Sequence, residues 1–402
     1  MSTVVAAALG WATLLLVARS TDQSAYSSFA ILWGIFYGFA GICAGLQQEV
    51  TRATAEAQPE REDAIGIPLA AAALRVGAVL CLVVVSTFGL WRASIDAELG
   101  VALGFVFGVF GLTGLVVILG ALAAAYRWRA IAGLLLADAV VRILAVALAL
   151  DVSSSLTAQA IAIGCASWVW MPLVIVGPDA TALRARLQCR VETRRFMGQV
   201  AAAMTATGCA SLLIAGFPWL LAMTSRDSVG TATAGLLAAL VLFRSPVIAL
   251  VYGLRPLILR GFLSKPSRAL GRALRAWLWC LVIGGALTAS AYVAGPWVLH
   301  LTFGSGFNVS GWQAAGLVLS STLLSMATIS SLALLAIAAH RSVAGSWVLA
   351  VVVTMLVLAL PVQQDRGVVA AAIVGPLAAL AWHSARMAAS SRLPEHDERT
   401  AR

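Results

Sequence analysis

Four charged side chains lie inside long apolar stretches of the sequence, namely Arg75, Asp138, Arg142 and Arg244. A charge in hydrocarbon costs about 2.5–3.5 kcal/mol on insertion scales, so it normally faces a partner or a water-filled cavity. Arginine binds phosphate and carboxylate groups through a planar fork of donors, and a carboxylate can take up a proton. These four residues are therefore the candidate site.

Asp138 and Arg142 are four residues apart, which places them on one face of a helix. Arg142 lies about 12 residues into its apolar stretch, so it lies about 18 Å deep at 1.5 Å per residue. Two interpretations are open. Either the two residues form a local ion pair that neutralises both charges, or they face a cavity, where Arg142 contacts an anionic ligand or Asp138 takes up a proton.

Arg244 and Arg75 differ in depth. Arg244 lies about 15 Å deep by the same rise per residue, with no acidic residue in its own stretch, so we expect it to line a wet cavity. The alternative is a bond to carbonyl groups or to Asp138 on another helix. Pro246 favours a kink in this stretch. Arg75 lies about 10 Å from its boundary, where its side chain can equally reach the headgroups.

The composition defines the class of protein. Of 402 residues, 61% are hydrophobic and 11% are charged, whereas about a quarter of the residues of a soluble domain are charged. The surface of a soluble fold of this size could not be covered with so few polar groups. The sequence predicts an all-α integral membrane protein with about 12 transmembrane helices. The predicted spans are 2–18, 28–46, 65–90, 99–122, 130–150, 158–176, 200–223, 232–254, 277–295, 312–338, 343–360 and 368–387.

Loop charge predicts the orientation. If the N-terminus is cytoplasmic, 20 of the 27 basic residues fall in cytoplasmic segments, 4 in external loops and 3 within spans. Loops on the cytoplasmic side of a membrane protein carry an excess of Lys and Arg, and this bias follows that rule. Both termini are therefore predicted to be cytoplasmic. The first span is short and starts close to Met1, and it lacks the preceding basic region of a cleavable signal.

A long basic segment, 177–199, lies midway along the chain and separates two sets of six spans. The predicted organisation is an N-terminal six-helix lobe over 1–190, a C-terminal six-helix lobe over 191–387 and a cytoplasmic polar tail over 388–402. A second basic segment, 255–276, is also predicted to be cytoplasmic. Both segments can form amphipathic helices on the inner leaflet.

Several classes of function are disfavoured. The sequence has no Walker A motif, no HExxH motif and no cluster of His and Cys with metal-ligand spacing, so we expect no catalytic residues, metal or cofactor, and no enzyme activity. Four histidines, His300, His340, His383 and His396, are expected at the membrane interfaces. The net charge of +10 sits in short loops between spans, which favours anionic lipid headgroups as partners and disfavours nucleic acid.

Short motifs also follow one another in order along the chain. They are Ala18-Arg19, Tyr26, Phe29, Gly45-Leu46, Thr51-Arg52, Gly120-Ala121, Tyr126-Arg127-Trp128-Arg129, Val141-Arg142, Phe243-Arg244-Ser245-Pro246, Arg255-Pro256, Gly295-Pro296, Val298-Leu299 and Phe303-Gly304-Ser305-Gly306-Phe307. This ordered set resembles the polysaccharide and lipid-linked oligosaccharide flippases of the multidrug/oligosaccharidyl-lipid/polysaccharide (MOP) exporter superfamily. The last motif, expected in the loop after the ninth span, is the most specific.

The resemblance implies alternating access by two six-helix lobes around a cationic cavity in the cytoplasmic membrane. A polyprenyl-diphosphate oligosaccharide or polysaccharide precursor would place its headgroup there. Arg75, Arg142 and Arg244 would contact the diphosphate or acidic sugars, and Asp138 would be the candidate for proton coupling. The glycan-assembly machinery would be a partner.

Two other functions remain open. A small-molecule or drug exporter of the same superfamily would favour carboxylates and aromatic residues in its cavity. A non-transporting membrane scaffold in a glycan-assembly complex would tolerate loss of Arg142 and Arg244. A membrane glycosyltransferase is disfavoured, because no acidic cluster occupies an external loop.

Overall fold

A computed structural model describes residues 2–56, 67–92, 95–153, 155–177, 180–188, 190–224, 231–263, 269–337, 339–361 and 364–391. Most of these residues are helical, because a chain in hydrocarbon must satisfy its backbone hydrogen bonds within itself. Among them, ten helices are long and apolar enough to cross a membrane, and two shorter apolar helices cover Val4–Ser20 and Thr233–Arg244. The all-α membrane class is therefore confirmed.

The first part of the chain forms ten helices and two very short strands. They are α1 (Ser2–Ser20), α2 (Gln23–Glu56), β1 (Ile67–Pro68), α3 (Leu69–Trp91), α4 (Leu99–Ala124), α5 (Trp128–Val152), α6 (Leu156–Ala166), α7 (Met171–Val176), α8 (Ala180–Leu187), β2 (Arg190–Val191), α9 (Thr193–Ile214) and α10 (Phe217–Thr224). In the described residues of the second part, five further helices follow, namely α11 (Thr231–Leu263), α12 (Ala269–Phe303), α13 (Gly311–Ala336), α14 (His340–Leu358) and α15 (Gln364–Ser391).

The chain divides into two compact units. The first contains residues 1–241 together with 299–308, and the second contains 242–298 together with 309–402. The short segment 299–308 is thus packed with the first part of the chain, although it follows most of α12. The lobe boundary at residue 190 stays a prediction, as does the cytoplasmic location of the termini.

Helix α2 is the centre of the first unit. It packs against α4, α9 and α10, while α1 packs on α5, and α6 packs on both α4 and α5. The aromatic side chains of Tyr26, Phe29, Phe36 and Phe39 are fully buried along α2. Burial of such large rings contributes most of the packing area in a helix bundle.

Two predicted spans are interrupted. The stretch 158–176 forms α6 and α7 with a turn between them, and the stretch 200–223 forms α9 and α10 with a break at residues 215–216. Pro172 and Pro218 lie at the starts of the second helices. Since proline has no N–H to donate and its ring crowds the preceding turn, each proline ends one helix and starts another.

Other helices run further than their apolar stretches. Helix α2 continues to Glu56, and helix α12 starts at Ala269 and continues through Pro296 to Phe303. The described residues of the basic segment 255–276 are helical, as the sequence allowed, but they continue α11 to Leu263 and begin α12 at Ala269. Residues 264–268 lie outside the described part. The apolar pattern marks only the turns in hydrocarbon, whereas amphipathic turns extend the helices beyond it.

The basic segment 177–199 contains the short helix α8, as expected. It also contains β2, which pairs antiparallel with β1 through Ile67 and Val191. Strands of two residues have no alternating pattern, so the sequence did not predict them. Arg184 of α8 donates hydrogen bonds to the carbonyl groups of Val174 and Ile175, which end α7. In the predicted tail, residues 388–391 continue α15, and residues 392–402 lie outside the described part.

In the second unit, α13 is buried along most of its length and packs with α15, which also packs with α14. Helix α13 carries many buried hydroxyl groups. Most of them donate back to carbonyl groups of the preceding turn, as Ser325 does to Ser321 and Thr328 does to Leu324. This local bonding satisfies each hydroxyl within its own helix.

Candidate functional site

Arg142 lies in the middle of α5 and is almost completely buried. Its Nη2 donates to Asp138 Oδ1 at 2.5 Å, one helical turn earlier. Its Nη1 donates to the carbonyl oxygen of Ile163 on α6 at 2.8 Å. The helical spacing of four residues makes the first contact, and the packing of α5 on α6 makes the second.

Two aromatic rings of α2 cover the guanidinium. The Cζ atom of Arg142 lies 5.0 Å from the ring centroid of Phe36 and 5.7 Å from that of Tyr37. Aromatic faces attract cations, so these rings stabilise the charge in a dry environment. Among the described residues, the buried Nε of Arg142 has no hydrogen-bond partner.

The ion pair cancels the charge of Arg142 locally. The side chain of Arg142 is 4% exposed and that of Asp138 is 17% exposed, so the carboxylate is the more accessible member. Removing either partner would leave a charge with poor solvation. The local ion pair of the first interpretation is present in the structure.

The other two predicted arginines belong to other helices. Arg244 is buried in the part of α11 that belongs to the second unit, whereas Arg142 belongs to the first unit. Arg75 is exposed on α3, and it forms no hydrogen bond or ion pair within the described residues. The structure therefore brings Asp138 and Arg142 together and leaves Arg75 apart from them.

The motif Phe303–Phe307 has a defined role that the sequence did not reveal. It docks on the junction of α1 and α2, and we call this arrangement the FGSGF clasp, comprising Phe303–Phe307 with Arg19, Gln23 and Tyr26. Arg19 donates to the carbonyl groups of Leu301 and Thr302, and Gln23 donates to that of Gly306 at 2.6 Å. The motif was expected in a loop, yet its first residue ends α12.

The centre of the clasp is aromatic. Tyr26 is fully buried, and its ring meets Phe307 edge-on at 5.1 Å and Phe303 at 5.9 Å between centroids. Gly304 has a φ of +102°, which a residue with a Cβ rarely adopts. This glycine turns the chain so that both phenylalanines reach the same tyrosine.

Asp22 caps the helix that carries Tyr26. Its Oδ1 accepts a hydrogen bond from the Ala25 N–H at 2.8 Å and another from the Ser24 hydroxyl at 2.7 Å. These two bonds, the Ala25 N–H first, lower the pKa of the Asp22 carboxyl. The negative charge of this cap also interacts favourably with the partial positive charge of the helix N-terminus.

Helices α2 and α9 meet at very close range. A Cβ at Gly41 would overlap the side chain of Ser211, and a Cβ at Gly45 would lie 2.6 Å from Met204 Cα. At the end of this contact, Arg52 is bonded to Gln199 and to Glu49. Glycine lets two helix backbones approach until they touch.

The sequence misplaced one titratable residue. His383 was expected at a membrane interface, but it is fully buried between α13, α14 and α15. Its ring nitrogens lie 2.6 Å from Ser346 Oγ and 3.2 Å from Ser330 Oγ. The sequence placed His383 only four residues before the predicted end of the span and so suggested an interface position. The helix in fact continues to Ser391, which leaves His383 further from its end. Within the described residues, no group of three or more His, Cys, Asp or Glu side chains is placed to hold a metal ion.

Sequence comparison finds relatives of unassigned function. An uncharacterized protein of Mycobacterium tuberculosis is 29% identical over 395 residues, covering 96% of this chain and 90% of the relative. An uncharacterized protein of Mycobacterium bovis is 28% identical over 393 residues, with the same coverage of each chain. No family model matches the chain.

Comparison with solved structures identifies the fold. An outward-facing conformation of a multidrug resistance MATE family transporter of the MOP superfamily has a TM-score of 0.64 at 13% identity, covering 97% of this chain and 94% of that one. The inward-facing conformation of such a transporter has a TM-score of 0.63 at 14% identity, covering 95% and 94%.

A third similar structure is a MOP superfamily transporter from Pyrococcus furiosus whose binding pocket is described as having reverse polarity. It has a TM-score of 0.61 at 14% identity, covering 98% of this chain and 94% of that one. The predicted fold class of about 12 helices in two six-helix lobes is thus confirmed, and this multi-pass membrane chain has the fold of MOP superfamily transporters.

Proposed function

We propose that this chain is a membrane transporter that moves an anionic, lipid-linked oligosaccharide or polysaccharide precursor across the cytoplasmic membrane by alternating access. The lipid carrier would be a polyprenyl diphosphate. The observation that carries the proposal is the combination of a transporter fold with two buried arginines, Arg142 and Arg244, inside apolar helices. We propose no catalytic step for this chain.

The fold supports alternating access. Proteins of this fold have been solved in outward-facing and in inward-facing conformations, and the chain resembles both to the same degree. A transported group must contact the protein in both states, which requires that its binding energy does not favour one state strongly.

The arginines support an anionic substrate. A guanidinium binds phosphate oxygens through parallel hydrogen bonds, which are stronger when both groups are charged. The described polarity of the Pyrococcus furiosus structure supports the idea that pocket charge varies within this fold. Arg75 is exposed and free of partners among the described residues, so we assign it to the first contact with the headgroup.

Asp138 would control when Arg142 is available. While the carboxylate is charged, it holds Nη2 of Arg142 at 2.5 Å. Uptake of a proton by Asp138 removes the negative charge and releases Nη2, which joins the unpartnered Nε to form a fork for a diphosphate. Proton binding and substrate binding would then favour each other at this site.

Small-molecule or drug export is the second candidate. The similar solved structures include multidrug resistance transporters, and the carboxylate of the pair is more accessible than the guanidinium. A cationic drug would bind Asp138 and displace Arg142. Drug export therefore predicts that loss of the Asp138 charge weakens substrate binding, whereas transport of an anionic glycan predicts that it strengthens binding.

The test is binding of a short-chain polyprenyl-diphosphate oligosaccharide to the purified full chain in nanodiscs. We expect Asp138→Asn to bind more tightly than the intact chain, because loss of the carboxylate charge releases Nη2 of Arg142. Arg142→Gln should weaken binding by at least about tenfold, which is about 1.4 kcal/mol. Arg129→Ala is the matched control, because Arg129 is an exposed arginine of the same helix.

The same variants would be compared at equal membrane abundance in a strain that lacks its own polysaccharide flippase. Restoration of surface glycan by the intact chain and by Arg129→Ala, but not by Arg142→Gln or Arg244→Gln, supports the proposal. Drug export would replace glycan transport as the proposed function if two results were obtained together. The chain would bind a cationic dye but not the diphosphate lipid, and Asp138→Asn would abolish binding of the dye. Full restoration by both arginine variants would assign Arg142 and Arg244 structural roles and would overturn the proposed substrate contacts.

A further inference from the structure

Outside the candidate site, the interior of the second unit contains a histidine. The imidazole of His383 is fully buried there, and hydroxyl groups of two other helices face its two ring nitrogens. An imidazole between hydrogen-bonding groups can bind or release a proton without moving far. The arrangement of these hydroxyls decides what the ring can do.

Each serine already has an acceptor for its own proton. Ser346 Oγ lies 2.8 Å from the carbonyl oxygen of Val343, and Ser330 Oγ lies 2.6 Å from that of Met326. A hydroxyl has one proton, so a serine that donates to a carbonyl offers only lone pairs to the ring. If both serines do so, both ring nitrogens must donate, and only the protonated imidazolium carries two N–H groups.

The neutral ring requires a different arrangement. One nitrogen then carries no proton, and one serine must turn its hydroxyl away from its carbonyl and donate to that nitrogen. The Ser330 hydroxyl can turn to the ring at lower cost, because the carbonyl oxygen of Met326 that it leaves still accepts a second side-chain hydrogen bond. Trp277 Nε1 on α12 donates to the same carbonyl oxygen at 3.2 Å.

We propose that His383 is a proton-binding site in the second unit. In its neutral form Nε2–H donates to Ser346 Oγ, and Nδ1 accepts the hydroxyl proton of Ser330. A proton that binds at Nδ1 makes this nitrogen a donor, and the Ser330 hydroxyl turns back to the Met326 carbonyl. Proton uptake thereby changes a hydrogen bond at the carbonyl that also holds Trp277 of α12.

Nearby charges do not dominate this site. Helix α13 has no titratable side chain along its length. Helix α14 has His340 and Arg341 in its first turn, where Arg341 is exposed and the His340 side chain lies outside the described part. On α15, the charged residues Asp365, Arg366 and Arg386 are exposed.

The ring therefore responds to two opposing local effects. The apolar surroundings favour the neutral ring, and the two acceptor oxygens favour the charged ring. Trp347 packs edge-on against the imidazole, with 6.4 Å between centroids, and donates to Ser331 Oγ at 3.1 Å. This tryptophan keeps the ring orientation fixed while the Ser330 hydroxyl turns.

The test is a pH titration by nitrogen NMR of the full chain with 15N-labelled histidine rings. The background carries His300→Gln, His340→Gln and His396→Gln, so only His383 gives a signal. We expect a neutral Nε2–H tautomer at high pH and a protonated ring at low pH, with a midpoint between about pH 3.5 and 6.5. No protonation in that range, or a neutral Nδ1–H tautomer, would overturn the proposal.

Serine variants test the assigned partners. Ser330→Ala removes an acceptor that the charged ring needs more than the neutral ring does, so the midpoint should shift down by about 0.5–1 pH unit. Ser346→Ala should also lower it. Ser325→Ala is the matched control, because Ser325 is a buried serine of α13 that bonds to Ser321. Equal midpoints in Ser330→Ala and Ser325→Ala would contradict the proposal. The measurement needs no transported substrate, so its outcome is separate from that of the proposed function.

Discussion

Arg19 donates two hydrogen bonds to the backbone carbonyl of Thr302, from Nε at 2.9 Å and from Nη2 at 2.7 Å. These residues are 283 positions apart in the sequence. The contact joins the end of α1 to the last turn of α12, whose carbonyl groups have no partner within the helix. A cation at a helix C-terminus also interacts favourably with the helix dipole.

Arg19→Ala should therefore loosen the FGSGF clasp. The amides of Gly304 and Phe307 are hydrogen-bonded in the clasp, so they report its opening. We expect their hydrogen exchange to become about fivefold to tenfold faster, which is about 1–1.4 kcal/mol. The bonds of Arg19 are exposed, so a larger effect is not expected. Arg129→Ala serves as the control, and equal exchange rates in both variants would show that Arg19 does not hold the clasp.

Tyr26 allows its ring and its hydroxyl to be tested separately. The buried hydroxyl has no hydrogen-bond partner in the part of the chain that the structure describes, whereas the ring contacts Phe303 and Phe307. Tyr26→Phe should be neutral or stabilising, by up to about 1 kcal/mol, because it removes an unsatisfied polar group. Tyr26→Ala should cost about 3–5 kcal/mol through the cavity it leaves. Unfolding in detergent with increasing denaturant measures both, and a destabilised Tyr26→Phe would indicate a partner for the hydroxyl.

The contact of α2 with α9 depends on the absence of a side chain at Gly45. Gly45→Leu should reduce the yield of folded protein strongly, because its Cβ would lie 2.6 Å from Met204 Cα. Gly133 is the matched control, since it lies within helix α5 and a Cβ there would meet no atom within 4 Å. Gly133→Ala should be stabilising by about 0.5–1 kcal/mol. Size-exclusion profiles and thermal unfolding distinguish the two, and a well-folded Gly45→Leu would contradict the close approach.

The ion pair of Asp138 and Arg142 can be measured by a double-mutant cycle. Arg142→Gln alone should cost up to about 3 kcal/mol, because it leaves the half-buried carboxylate of Asp138 without its partner. Asp138→Asn should also destabilise, and the double variant should cost less than the sum of the two. Denaturant unfolding of the four proteins gives the coupling free energy. Additive effects would show that the pair does not contribute to stability as a unit.

The lowered pKa of the Asp22 carboxyl leads us to expect that the stability of the fold depends on pH. Its folded-state pKa is lowered, so its contribution is present above the unfolded-state pKa and is lost as the pH falls through the folded-state value. Asp22→Asn keeps the cap and removes the titration, so it should flatten the loss of stability below about pH 4. Thermal unfolding across this range gives the comparison. Parallel profiles for the two proteins would exclude a contribution of Asp22.

The sequence by itself determined the class of protein and the approximate number of spans. Apolar stretches of about 20 residues report how much chain lies in hydrocarbon, because the bilayer imposes this requirement on each segment separately. The spacing of Asp138 and Arg142 likewise determined their contact, since residues four apart meet on any helix.

Tertiary structure decided where the remaining chemistry lies. The bond of Arg142 to Ile163, the docking of Phe307 on Tyr26 and the enclosure of His383 by Ser330 and Ser346 all join segments that are distant in the sequence. Hydrophobic periodicity is weak in helices that are apolar on all sides, so it does not indicate which face meets which neighbour. The membrane supplies no hydrophobic force to orient those faces, and close packing and hydrogen bonds between helices must do so.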